Sequence, residues 1–257
     1  MSKQGRPCVI TGNWKMNKTI EEAQEFVKGL VEKLNTKNQV QLAVPYTVIY
    51  PLSQETQETP LVIGAQNMND ASEGAFTGEI AATMLLNVGA KFVLLGHSER
   101  RLLYHEDDRM IHAKVKRALS ENLPFVLCVG ETKAEHDEGK TEEVIERQLR
   151  IGLEGFSESQ LEKNLMIAYE PVWAIGSGES ATPEMAQHVH KFCRQVLSNL
   201  FSEKFATKIV IQYGGSVNPK NSNKLLAQED IDGLLVGGSS LSLESFLQIV
   251  NDSNSKI

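Results

Sequence analysis

Short apolar runs alternate with amphipathic stretches eight times along these 257 residues, and that rhythm restricts the possible folds more than any composition figure. The runs fall at residues 9–10, 40–44, 61–65, 92–95, 125–129, 165–169, 209–213 and 231–236. They are short and largely apolar without strict alternation, as expected of strands covered on both faces in a parallel sheet. Between the first two, Ile20, Ala23, Val27, Leu30, Val31 and Leu34 recur at helical spacing, and Thr19 with Glu22 supplies a capping box. Helical patterns also cover residues 80–88, 109–119, 144–153, 185–200 and 241–250, while the stretches after the second and seventh runs are the least regular. Eight strand–helix units predict an α/β chain closed into a single (β/α)8 barrel, with chemistry on the loops at the carboxyl ends of the strands.

No Pro/Gly/Ser linker, low-complexity tract or charge block marks a seam, so one domain is expected over residues 1–257, with a core of about 8–250. The net charge of -7, from 26 basic and 33 acidic residues that are not clustered, argues against a nucleic-acid or anionic-membrane surface. An anionic substrate would then need locally placed cations or amides. Cys8, Cys128 and Cys193 are odd in number, far apart and set among apolar neighbours, which suits reduced core thiols rather than metal ligands. Residues 1–7 are polar and the next apolar stretch is too short for a signal sequence or a membrane span, so a cytoplasmic protein is expected.

Four strand ends carry the chemistry. The sixth run is followed by Glu170 and Pro171, which forbids helix at Glu170 and leaves a carboxylate at the strand's end. A loop bearing Trp173, Gly176 and Gly178 begins there, an arrangement suited to a base beneath a closing lid. The first run leads into Asn13-Trp14-Lys15-Met16-Asn17, and the fourth into Gly96-His97-Ser98-Glu99-Arg100-Arg101. Taken singly, Glu170 and Lys15 could each be solvated, and His97 could be a hydrogen-bonded structural residue. The seventh and eighth runs end in Gly214-Gly215-Ser216 and Gly237-Gly238-Ser239. Two glycine pairs on adjacent last strands let backbone N–H groups approach an oxyanion, which points to a phosphate pocket.

Together, residues 13–17, 96–101, 168–178, 213–216 and 235–238 resemble the triosephosphate isomerase family, in its order and at its spacing, and the likeness runs from residue 8 to about 250. The resemblance implies a TIM barrel that interconverts dihydroxyacetone phosphate and glyceraldehyde 3-phosphate through an enediolate, with no cofactor and no metal. It implies Glu170 as the base, His97 as a neutral hydrogen-bond donor, and Asn13 and Lys15 as substrate contacts, with Lys15 supplying positive charge to the reaction. Gly176, Ser216, Gly237 and Gly238 match the phosphate-binding positions, and Ile175 with Leu235 matches an apolar clamp. It further implies a homodimer in which loop 66–79 reaches a second subunit, with Thr77 and Met16 near the seam. Glu99 either orients the Lys15 and His97 cluster or pairs with Arg100 or Arg101. Trp173 either lines the lid or packs in the core. Ser177, Glu179, His105 (usually Gly) and Ser239 (usually Ala) depart from the family pattern. Two rivals differ in kind. A sugar-phosphate lyase or aldolase would need a Schiff-base lysine on a late strand, and none of the late runs has one. A non-catalytic sugar-phosphate-binding barrel would need the phosphate amides but no carbon base.

Overall fold

In the computed structural model, which describes residues 5–174 and 181–256, eight parallel strands close on themselves in chain order. They are β1 Val9–Asn13, β2 Gln39–Val44, β3 Leu61–Ala65, β4 Val93–Leu95, β5 Phe125–Val129, β6 Leu165–Tyr169, β7 Val210–Tyr213 and β8 Gly233–Val236. The ring shuts where β1 meets β8, with Val9 opposite Gly233 and Gly12 opposite Val236. Helices intervene between successive strands, giving the expected (β/α)8 barrel.

The lack of alternation in the runs has a direct cause in this geometry. On β5, Phe125, Leu127 and Val129 pack outward among the helices, while Val126 and Cys128 join an inner cluster with Ala43, Phe92, Leu94, Ala168 and Leu235. Both faces are dry, so both are apolar, and each fully buried large aliphatic side chain contributes ~1.5–3 kcal/mol. The polar residues that interrupt the runs are partnered. Thr11, Gln41 and Gln212 are fully buried within the barrel, where Gln41 Nε2 and Gln212 Nε2 donate to the Thr11 hydroxyl at 2.8 and 2.7 Å. Asp232 holds Arg6 Nε at 2.7 Å and Arg194 Nη2 at 2.8 Å at the opposite end of the barrel from the strand-end loops.

The capping box of Thr19 and Glu22 opens the helix Ile20–Lys33 as expected. Thr182 and Pro183 start the helix Pro183–Leu200 by a side-chain cap and a proline in the first turn, where its missing N–H costs nothing. The two least regular stretches form Tyr46–Glu55 and the five-residue Ser222–Leu226. The last expected helix, 241–250, forms as Leu243–Ser253 and is preceded by a 3-10 turn, Gly238–Leu241.

Inward parity on the strands positions the site. The inner series Met166, Ala168 on β6 continues to Glu170, Thr11 on β1 leads to Asn13, Gln212 on β7 to Gly214, and Leu235 on β8 to Gly237. Among the described residues no helix is long and apolar enough to cross a membrane, and the three cysteines are buried and none forms a disulfide.

Candidate active site

A cavity of about 470 Å³ opens at the carboxyl ends of the strands and is lined by Asn13, Lys15, His97, Glu170, Ser216, Gly237 and Gly238. These are the expected site residues save Gly176, which lies outside the described residues together with Ile175, Ser177 and Glu179.

Glu170 is 2% exposed and its backbone N–H still donates to Val129 O at 2.8 Å, so the strand ends with its carboxylate aimed inward. Oε2 accepts the Ser98 N–H at 3.0 Å and Oε1 lies 3.0 Å from His97 Nε2. Gly214 is required beneath it, because a Cβ there would stand 2.8 Å from Glu170 Cγ. Burial favours the protonated acid. The His97 ring, the Ser98 N–H and Lys15 outweigh burial and hold the carboxyl below the usual carboxylate range.

His97 caps the helix Ser98–Leu103 with its ring, Nδ1 accepting the Glu99 N–H at 3.2 Å. A nitrogen that accepts carries no proton, so the neutral ring has its hydrogen on Nε2, facing Glu170. An amide of this turn is thus bonded directly to the ring. Burial draws the imidazole pKa down, but the Glu170 carboxylate, helped by Glu99, pushes it up by more, and the net direction is upward.

Lys15 sits in the left-handed region at φ +53°, a conformation that costs an L residue ~1–2 kcal/mol. Two contacts hold it there: Asn13 Oδ1 accepts the Lys15 N–H at 3.1 Å, and Gln66 Nε2 donates to Lys15 O at 2.9 Å. Its ammonium meets Glu99 Oε1 at 2.6 Å. Of the two readings of Glu99, the geometry selects the orienting one, since Arg100 pairs with Glu106 and Arg101 with Asp108.

Across the cavity, a Cβ on Gly238 would meet nothing within 4 Å and one on Gly237 would come no nearer than 3.6 Å, to Lys15 Cε. This backbone is open to a ligand. Ser216 is half-buried, its carbonyl accepting Asn221 Nδ2 at 2.9 Å. Ser239 uses its hydroxyl to reach Val217 O at 2.9 Å, tying the β7 loop to the β8 loop. His105 adopts φ +56°, which explains why glycine suits that position.

Three contributors escaped the sequence reading. The Ser98 amide and the Gln66 side chain act on residues 72 and 51 positions away, a pairing that no local pattern discloses. Glu131, fully buried just past β5, accepts Tyr169 OH at 3.1 Å and Trp173 Nε1–H at 2.8 Å. An acid directly before the capping Thr132 at a strand end was the available signal. Trp173 packs at the edge of the core, stacked on His136. His188 and His190 diverge, the first exposed on Glu142 and the second buried beside Asp230 O. Cys128 is fully buried, and burial together with the nearby Glu170 pushes its thiol well above its ordinary value, which suits packing and not nucleophilic attack. No group of three or more metal-ligating His, Cys, Asp or Glu side chains occurs among the described residues.

The model of the family described as triosephosphate isomerase matches residues 8–253. A curated triosephosphate isomerase of Protochlamydia amoebophila is 59% identical over 256 residues, covering 99% of this chain and 97% of that protein. Others so named are 48% identical in Carboxydothermus hydrogenoformans, over 96% of this chain and 99% of that one, and 46% identical in Rhodopirellula baltica, over 95% and 97%. With the closed barrel and the gathered strand-end residues, matches of this extent make the chain a member of the triosephosphate isomerase family.

Proposed function

We propose that this cavity performs the family's interconversion of dihydroxyacetone phosphate and D-glyceraldehyde 3-phosphate with Glu170 as the base, His97 as the hydrogen-bond donor and Lys15 as the balancing cation. Glu170 takes a proton from one carbon of the substrate and the electrons move onto the adjoining carbonyl oxygen; that oxygen takes the Nε2 proton of His97, the neighbouring hydroxyl gives its proton back to the ring, and Glu170 returns its proton to the neighbouring carbon as the new carbonyl forms. Nε2–H of His97 and Nζ of Lys15 stabilise the enediolate oxygens, where preorganised donors in a dry site act most strongly. Asn13 keeps Lys15 in its left-handed backbone conformation and adds a substrate contact. The backbone N–H groups of Gly237 and Gly238, the Ser216 residue and Gly176 receive the phosphate. No cofactor enters these steps.

The observation that carries this reading is the 3.0 Å approach of Glu170 Oε1 to His97 Nε2 in one cavity with Lys15 and the open Gly237–Gly238 backbone. A base and a neutral-ring donor already face each other, and the reacting carbon–oxygen unit enters between them. A non-catalytic binding barrel has no use for that pair. The deciding experiment is a coupled assay of triose interconversion with the wild type and Glu170→Asp. Withdrawing the carboxylate by about one methylene lowers kcat by ~100-fold with KM changed much less, the scale of a roughly 1 Å misplacement. Equal turnover in both removes Glu170 as base.

The chain works as one domain and, in this reading, as a cytoplasmic homodimer serving glycolysis and gluconeogenesis. Support for the dimer is a set of exposed apolar side chains: Met16 is 95% exposed, Leu103 69%, Tyr104 62% and Phe76 52%. Phe76 and exposed Thr77 lie on loop 66–79, which carries no strand or helix and would reach the partner beside Met16. Sedimentation at micromolar concentration tests this, and a monomer alone overturns it.

A further inference from the structure

Two separate loops build the part of the cavity wall that carries the glycine pairs. Pairing between β7 and β8 ends at Tyr213 opposite Leu234, and beyond it the segments 214–218 and 237–239 run on as two rims of the same cavity. A glycine pair gives a rim no side chain to pack and leaves its backbone many conformations. Each rim is therefore steadied from outside. On the β7 side, Asn221 accepts the Asn218 N–H at 2.9 Å and donates to Ser216 O at 2.9 Å. On the β8 side, the Ser240 hydroxyl and N–H both donate to Gly237 O, at 2.7 and 2.8 Å, which closes the 3-10 turn. Neither set of contacts crosses from rim to rim. The Ser239 hydroxyl does, donating to Val217 O at 2.9 Å.

We propose that Ser239 is a positioning residue for anion binding: its hydroxyl sets the separation of the two rims, so that Ser216 on one and Gly237 and Gly238 on the other already converge when a phosphate group arrives. The inference rests on the reading of this cavity as the phosphate site. Hydrogen bonds from N–H to oxygen are good only over about 2.7–3.2 Å, so a ligand held from both rims at once loses contacts when the rims drift apart. Without the crossing bond, phosphate must order the rims itself, and that cost is subtracted from its affinity.

The hydroxyl does not act as a phosphate ligand in this arrangement. It has a single proton, which is committed to Val217 O, and its remaining lone pairs repel an anion. Ser239 acts through the backbone instead. The base and its partner are held by other contacts, Glu170 by the Ser98 N–H and His97, so loss of the crossing bond falls on binding and not on turnover. The family usually has Ala at this position, and the crossing bond is thus an addition in this chain to a pocket that otherwise follows the family pattern.

The test compares the wild type with Ser239→Ala by calorimetric titration of the intact protein with inorganic phosphate, alongside steady-state kinetics with triose phosphate. Alanine is what the family usually carries here, so the variant folds, and a thermal melt checks it. The Kd for inorganic phosphate and the KM for triose phosphate rise together by roughly three- to tenfold, the scale of one net hydrogen bond, while kcat stays within about twofold. A hydroxyl that only stabilises the loops would lower the melting temperature and leave Kd and KM where they are. That result overturns the proposal, as does a fall in kcat at constant KM. Failure of inorganic phosphate to bind the wild type, or to compete there with triose phosphate, would instead reject the phosphate reading of the cavity, and the role of Ser239 with it.

Discussion

Gly214→Ala puts a single methyl group against the base. Its Cβ would lie 2.8 Å from Glu170 Cγ, 3.4 Å from Tyr169 O and 3.5 Å from Leu235 Cβ, so only the contact with Glu170 is too close. Ordinary contact begins at 3.4 Å, and the carboxylate must retreat by roughly 0.6 Å to reach it. Misplacement by about 1 Å costs ~100-fold in rate, so roughly 0.6 Å corresponds to ~10-fold in kcat. Overpacking adds about 1–3 kcal/mol of destabilisation, because Glu170 is confined on its other side by His97 and the Ser98 amide. Gly238→Ala is the control, since its Cβ meets nothing and the barrel is undisturbed, but the methyl group stands where the phosphate is proposed to bind. Steady-state kinetics separate the two: Gly214→Ala lowers kcat with KM nearly constant, and Gly238→Ala raises KM. Thermal melts give the stability change. Wild-type kcat in Gly214→Ala would refute the claim that Glu170 is positioned by the backbone below it.

Glu170→Gln removes the largest upward influence on His97, leaving burial and Lys15 to act against Glu99. The imidazole pKa, read from ring signals by NMR, therefore falls below its wild-type value, and an unchanged value would mean that the two side chains are apart in solution. The stability carried by this pair has a pH window. His97 is raised above 6.5, so its part is full below that value and is lost as pH rises through the folded pKa; Glu170 is depressed below 4.5, so its part is full above that value and is lost as pH falls through the folded pKa. Denaturant unfolding should accordingly show the largest difference between wild type and Glu170→Gln between about pH 4.5 and 6.5. His105→Gly relieves the left-handed strain at an exposed position, with part of the gain returned as chain entropy, for a net stabilisation of ~0.5 kcal/mol. Destabilisation in a thermal melt would count against that account.

Strand positions and the inward-facing groups were legible in the sequence because both follow from local pattern. The run 165–169 coincides with β6, and counting by twos from Ala168 places Glu170 in the mouth without any knowledge of its neighbours. The glycine pairs likewise declared an open backbone on the β8 side. What stayed hidden depends on closure of the ring. The Ser98 amide meets Glu170 only because β4 and β6 flank β5, and Gln66 reaches Lys15 only across the β2 strand. The resting electrostatics were hidden for the same reason: nothing near His97 in the sequence discloses the carboxylate that arrives from β6 on its Nε2.

That carboxylate arrangement bears on when Glu170 is a good base. In the resting geometry burial is the strongest single influence on its carboxyl and favours the proton, yet the ring, the Ser98 N–H and Lys15 together win and keep it a weak proton acceptor. A substrate entering between Oε1 and Nε2 takes the His97 hydrogen bond for its own oxygen, and movement of the carboxylate towards carbon gives up the Ser98 amide. Each lost contact removes a stabiliser of the anion, while burial remains. Basicity therefore rises because the substrate dismantles the resting contacts, and added desolvation is a second contribution to the same change. The contacts that make Glu170 a weak acceptor at rest are thus the ones that catalysis must break.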